Sequence, residues 1–139
     1  MNSMSLDDVE EYFFAQYGTL PIISTFQRQV YEQTLLIPKG YVSTYGSIAS
    51  AIGCGSARAV GGALRRNPYD PIVPCHRVLR ANLSIGGFRG EQGPSSIACL
   101  EKISLLSNEG IQWNVPMIKD SKIEFNHSLR AHPSHLITW

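Results

Sequence analysis

At 139 residues and 15.4 kDa, with 43% apolar residues, the chain has room for one domain with a genuine core, which argues against a two-domain arrangement. No apolar run reaches the roughly 20 residues that a membrane span needs, and the first residues carry Asp7, Asp8, Glu10 and Glu11 rather than the basic start of a secretory signal, so an intracellular protein with no membrane partner is expected. The net charge of +1 excludes neither an anionic nor a neutral partner, but the charge is unevenly spread. The first 27 residues hold four acids and no Lys or Arg, whereas Ser56 to Gly90 hold six arginines (Arg58, Arg65, Arg66, Arg77, Arg80, Arg89) against the single acid Asp70. Such a stretch reads either as a phosphate-binding face or as a solvated surface.

In chain order, Ser5 predicts a capped helix running to about Gln16, with Asp8 at the third helical position and Gly18 as its stop. A second helix is expected from near Thr25 to Leu36, burying Phe26, Val30, Tyr31 or Thr34, and Ile37, and ended by Pro38 and Gly40. Ser43 or Thr44 can cap a third helix that buries Ile48, Ala49 and Ile52. After the turn at Gly53 to Gly55, Ser56 caps a fourth helix, Ala57 to about Arg66, with Arg58, Arg65 and Arg66 projecting outward. Helix, glycine turn and arginine-bearing helix together spell a helix-turn-helix.

Asn67-Pro68 breaks that helix, because proline disfavours a helical residue before it and donates no backbone hydrogen bond. From Val78 to Gly93 the glycines and a sparse apolar pattern predict a short β-hairpin or wing. Ile97 to Asn108 reads as a last helix burying Ile97, Leu100, Ile103, Leu105 and Leu106, with Gly110 after it. The segment from Gln112 to Trp139 is expected to pack as an extension or to stay partly disordered. Its His127, His132 and His135 lack a Cys or carboxylate at matching spacing, so no metal site is expected.

The three cysteines, Cys54, Cys75 and Cys99, are an odd number without CxxC spacing, which points to free thiols in a reducing compartment. Among them Cys75 stands out. Pro74-Cys75-His76-Arg77-Val78 places a thiol beside an imidazole directly after the arginine-bearing helix, led in by the apolar pair Ile72-Val73, so the thiol is expected to come from the floor of the domain. Alone, a Cys-His pair is more often packing than chemistry.

Taken together, Ser56-Ala57-Arg58-Ala59-Val60-Gly61-Gly62-Ala63, Asn67-Pro68 and Ile72-Val73-Pro74-Cys75-His76-Arg77-Val78 resemble the O6-alkylguanine-DNA alkyltransferases. The resemblance runs over roughly Phe26 to Trp113 and adds Phe26-Gln27-Arg28-Gln29-Val30, Ile37-Pro38-Lys39-Gly40, Tyr45 and Leu105-Leu106 ahead of Glu109-Gly110. It implies the family's C-terminal catalytic and DNA-binding domain alone: a mainly α, winged-helix-like fold without the N-terminal ribonuclease-H-like domain. The implied boundaries are an N-terminal extension with a short helix over 1–24, the catalytic and DNA-binding domain over 25–113, and a C-terminal extension over 114–139.

The activity so implied is irreversible, cofactor-free transfer of an alkyl group from O6 of guanine, with O4 of thymine as a second target, to the protein's own cysteine after the nucleotide is flipped out of the duplex. Cys75 matches the acceptor, His76 the base acting through a water, Glu109 the carboxylate that orients the imidazole, and Tyr45 the residue that helps rotate the nucleotide and protonates N3. Arg58 matches the arginine that fills the vacated stack. Ser56, Ala57, Gly61 and Arg65 fall with it on the DNA-binding helix, where small residues such as Gly61, Gly62 and Ala63 suit docking in a minor groove. Asn67 matches the hinge, the carbonyls of Cys75 and Val78 the acceptors that read the guanine amino group, and Phe88 and Arg89 the pocket loop. Phe88 replaces a tyrosine common there, and the stretch from Gly90 to Ile97 is longer than usual. The partner implied is duplex DNA carrying the lesion, met by a monomer in the nucleus of a eukaryote or the cytoplasm and nucleoid of a prokaryote.

Three other readings stay open. Alkyltransferase-like proteins share the fold, bind alkylated DNA without repairing it and hand it to nucleotide excision repair, but fill the cysteine position with another residue. A helix-turn-helix transcription factor would need Cys75 only as packing. A thiol hydrolase would need an oxyanion hole that the sequence does not display.

Overall fold

The computed structural model describes residues 4–90, 96–114 and 129–139. Helix α1 (Leu6–Tyr17) starts at a capping box in which the Ser5 hydroxyl accepts from the Asp8 amide and the Asp8 carboxylate accepts from the Ser5 amide, and it stops at Gly18 in the left-handed conformation. Helix α2 (Thr25–Thr34) has the same kind of box, Ser24 with Gln27. Arg28 of α2 pairs with Asp7 and Glu10 of α1, so part of the acidic charge of the N-terminal helix is met within the fold. Leu6 and Val9 place α1 on the same apolar core as Val30 and Tyr31 of α2.

Helix α3 (Tyr45–Ala51) is capped by Thr44, and α4 (Ala57–Arg65) by Ser56, whose hydroxyl accepts from the Ala59 amide. Helices α3 and α4 pack on each other, and α2 packs across both. Val60, Ala63 and Leu64 form the buried stripe of α4, while Arg58, Arg65 and Arg66 are exposed. Ala63 therefore belongs to the core rather than to the DNA-facing surface expected for it. The backbone carbonyl of Ala63 accepts a 2.7 Å bond from the buried Tyr31 hydroxyl, which fixes the far end of α4 to α2.

The expected β-hairpin does not form among the described residues. Strand β2 (Val78–Leu79) instead pairs parallel with β1 (Ser43–Thr44), Ser43 against Val78 and Thr44 against Leu79. The run after β2 is turned, with the Leu83 amide bonded to the Arg80 carbonyl and the Arg80 amide to the Ser84 carbonyl. Leu83 and Gly86 both have positive φ, which breaks an extended ladder. The short pair β1–β2 joins the strand before α3 to the segment that follows Cys75.

Helix α5 (Ile97–Asn108) is rotated relative to its sequence reading. Ala98, Cys99, Lys102 and Leu106 are buried, whereas Ile97 and Leu100 are 75% and 46% exposed and Ile103 and Leu105 only half-buried. The rotation is stabilised by Lys102, whose ammonium donates to the carbonyls of Val78 (2.7 Å), Ile85 (2.8 Å) and Gly87 (3.2 Å). A buried cation with three acceptors escapes most of the penalty that would otherwise turn the lysine to solvent.

The described part of the C-terminal segment is packed. Strand β3 (Trp113–Asn114) pairs antiparallel with β4 (Arg130–Ala131), and the chain then runs beside Val42, whose amide and carbonyl bond His135 and Ile137. The His135 ring bridges the Gly40 carbonyl and the Gln112 amide, and the His132 ring takes the Ser134 amide. Both imidazoles thus hold the chain, and no metal-binding group occurs among the described residues. His127 and most of the 90–97 connection lie outside them.

Candidate active site and nucleic-acid face

Cys75 opens a single 3₁₀ turn (Cys75–Arg77) that sets the Cys75 thiol at a pocket and brings His76 and Arg77 to the Glu109 carboxylate. The Cys75 thiol, 6% exposed, reaches the wall of a pocket of about 620 Å³. Tyr45 from α3, Arg58, Gly61 and Arg65 from α4, and Phe88 and Arg89 from the following loop also line it. Ala57 lies on the same rim. Ser56, Asn67 and Val78, placed in the site by sequence, do not line the pocket and act as supports.

His76, the second residue of the turn, points away from the pocket and is 2% exposed. Its Nε2 lies 3.0 Å from Glu109 Oε2, and its Nδ1 is buried without a hydrogen-bond partner among the described residues. Glu109 sits at the C-terminal cap of α5, so the last turn of that helix sets the carboxylate's position. Arg77, the third residue, clasps the same carboxylate: Nε donates to Oε1 at 2.9 Å, one terminal nitrogen to Oε2 at 2.8 Å, and the other to the Ile37 carbonyl. Arg77 therefore belongs to the buried network rather than to the phosphate-binding face suggested by the arginine count. The fork fits Arg to carboxylate and fixes Glu109 before it meets His76.

The electrostatics follow from that geometry. Burial pushes the Cys75 thiol up to about 11, reinforced by Asp70, while the Asn67 side chain, Lys102 and Arg89 work against the rise. Burial also lowers His76, against the opposing bond from Glu109, so the imidazole is neutral and able to accept a proton near neutral pH. Burial disfavours the Glu109 anion, but the bonds from Arg77 and His76 outweigh it and hold the carboxyl below its usual value. Tyr45 is driven to about 12 by burial and by the neighbouring Cys75, so its hydroxyl keeps its proton. The arrangement is a protonated thiol, a neutral imidazole and an ionised carboxylate.

Asn67 spans the link between α4 and the thiol segment: its amide nitrogen donates to the Val73 carbonyl and its oxygen accepts from the Tyr69 amide, both at 2.9 Å. The Val78 carbonyl, expected to face a base, accepts from Lys102. Arg89 stacks over the Phe88 ring at 4.5 Å and pairs with Asp70 and Glu101, which pins the pocket loop to two other segments. Arg77 and Lys102 are the supporting groups that sequence reasoning missed. A lysine in a helix ordinarily signals a solvated face, and only its position among the apolar residues of α5 hinted otherwise.

A helix-turn-helix domain whose arginine-bearing helix edges a pocket walled by Cys75, with His76 and Glu109 paired behind it, has the build of a nucleic-acid-binding domain. The family model of the 6-O-methylguanine DNA methyltransferase DNA-binding domain matches residues 25–111, and the chain belongs to that family. It is 44% identical over 93 residues to a methylated-DNA--protein-cysteine methyltransferase of Thermococcus gammatolerans, covering 66% of this chain and 48% of that protein. Among solved structures, the O6-methylguanine-DNA methyltransferase of Pyrococcus kodakaraensis matches with 42% identity and a TM-score of 0.54, over 64% of this chain and 48% of that one. The S. pombe protein ATL, solved in complex with DNA, matches with 27% identity and a TM-score of 0.64, over 85% of this chain and 99% of that one. The chain spans about half the length of the curated methyltransferases it matches.

Proposed function

We propose that this protein repairs DNA by direct reversal, moving an alkyl group from O6 of guanine to Cys75, once per molecule and without a cofactor. The observation that carries the reading is the placement of Cys75 at an arginine-edged pocket with His76 and Glu109 behind it, at 3.0 Å from each other. A thiol held at about 11 is a poor nucleophile at neutral pH and requires a base at the moment of reaction. His76 Nδ1, buried and without a partner among the described residues, receives that proton through a water, while Glu109 steadies the imidazolium that results.

The Cys75 sulfur then forms a bond to the alkyl carbon as the carbon–O6 bond breaks. The electron pair stays with guanine, and the Tyr45 hydroxyl supplies a proton at N3, so guanine leaves neutral. Tyr45 regains a proton by way of water from His76, and the net exchange is one alkyl group for one proton. Arg58, exposed on α4, fills the space that the flipped nucleotide leaves, and Asn67 keeps the thiol segment in register with the recognition helix. O4 of thymine presents the same chemistry as a second target. An O6-alkylated guanine pairs poorly, so it costs less to extrude than an intact one.

The near-complete overlap with ATL supports a second reading, a lesion sensor that binds and does not transfer. One experiment separates them: intact-protein mass spectrometry after mixing the protein with a duplex containing one O6-methylguanine. The expected result is a gain of about one methylene, roughly 14 Da, on the peptide bearing Cys75. Tight binding with no gain in mass would overturn transfer in favour of sensing.

A further inference from the structure

Four arginines line the pocket, and three of them have work assigned: Arg58 and Arg65 lie on the recognition helix, and Arg89 is neutralised by Asp70 and Glu101. The fourth, Arg80, is exposed, and its guanidinium makes no hydrogen bond or ion pair with any described residue. It is nevertheless held in place. The Arg80 amide and carbonyl are both used in the turn with Ser84 and Leu83. Its side chain lies against Gly86, where an added Cβ would meet Arg80 Cγ at 3.3 Å and Nε at 3.4 Å. Gly86 also has φ +68, so the residue that leaves room for the arginine stem is one that the backbone reserves for glycine. The charge of Arg80 is felt by Tyr45 and Lys102, which places it on the active-site side of the loop.

Resting on the proposed function, we infer that Arg80 is a binding and specificity residue that takes an anionic oxygen group of the nucleotide entering the pocket. A guanidinium fixed through its stem and free at its head offers a forked donor to a phosphate or a carboxylate. Two groups on a flipped nucleotide carry that chemistry: a backbone phosphate beside the lesion, and a carboxylate on the O6 substituent itself. Among the described residues, Asp70, Glu101 and Glu109 have Arg89, Arg77 and His76 as partners, so they do not compete for Arg80.

The test uses the full-length chain and its Arg80→Gln and Arg80→Lys variants with three duplexes that are otherwise identical: unmodified, with one O6-methylguanine, and with one O6-carboxymethylguanine. Affinity is measured against salt, and methyl transfer on the first lesion is followed by mass. Arg80→Gln is expected to unfold at the wild-type temperature and to bind the lesion duplexes about tenfold more weakly, with Arg80→Lys recovering part of the loss. An equal loss on both lesions, with a salt slope lower by about one, assigns the phosphate. A loss confined to the carboxymethyl duplex assigns the adduct's carboxylate. Unchanged affinity for both lesions, or the same loss on the unmodified duplex, overturns the inference. If the wild-type chain neither prefers nor alkylates itself from the methylated duplex, it is the proposed function that fails instead.

Discussion

The two sides of the pocket are built on opposite principles. Behind Cys75, the charged groups are already paired: Glu109 accepts from Arg77 and meets His76, Arg77 also donates to the Ile37 carbonyl, and Lys102 donates to three carbonyls, which leaves His76 Nδ1 as the polar atom there without a partner among the described residues. On the rim, Arg58 and Arg65 of α4 are exposed, with no hydrogen bond or ion pair to another described residue. A buried network fixes proton positions before any substrate arrives, whereas an unpaired charged rim leaves its binding energy for the partner. Burial also explains why the inner side depends on supporting residues: an unpaired charge there is costly, while on the rim water solvates it.

This contrast breaks first at Cys75. Cys75→Ala is expected to abolish transfer, read by mass, while leaving affinity for the lesion duplex within a few-fold, because the thiol contributes little contact area; loss of both would make the cysteine structural. Glu109→Gln should slow single-turnover transfer by about 10²-fold with little change in duplex affinity, since only the inner side is touched. A wild-type rate would remove Glu109 from the mechanism. Lys102→Met leaves three carbonyls short of a donor and should cost about 2 kcal/mol of stability in denaturant unfolding; a neutral result would mean that the lysine is not holding the loop.

Arg58→Ala probes the opposite side. It should weaken duplex binding by about tenfold and flatten its salt dependence, with the melting temperature unchanged, and a shift in melting instead would place Arg58 in the fold. The smallest expected effect is on acid stability. His76 titrates below its ordinary value of 6.5 and Glu109 below 4.5, so between folded and unfolded values the unfolded chain binds more protons. Their contribution is complete above about pH 6.5, begins to fall as His76 protonates below that, and falls again as Glu109 protonates below 4.5. Thermal unfolding that is flat from pH 7.5 to pH 5 would show that His76 is not held neutral by burial.

Local signals carried the helical scaffold. Ser5, Thr44 and Ser56 cap helices as their sequence positions suggest, because the N-terminal amides of a helix must find an acceptor within a few residues. The order of α3, glycine turn and α4 follows from the same short-range rules, and the run around Cys75 was legible because its chemistry is concentrated in adjacent residues. The Cys75 and His76 side chains point apart, as neighbours do, and only the fold supplies the Glu109 that meets the imidazole from 33 residues away.

What the tertiary structure decided was the fate of charges and of short apolar runs. Composition counted six arginines as one face, yet Arg77 turns inward to Glu109 and Arg89 to Asp70 and Glu101, because a partner distant in sequence was within reach. Periodicity turned α5 toward Ile97 and Leu100, and the three carbonyls around Lys102 turned it elsewhere. Val78-Leu79 read as one arm of a hairpin, but the chain delivered Ser43-Thr44 as its partner. Caps, turns and the Cys75-His76 pair are written in neighbouring residues, so the sequence by itself determined the helices, the helix-turn-helix and the proposed nucleophile. Which charges are spent inside the protein and which stay free for a partner depends on encounters between distant segments, and those exist only once the chain has folded.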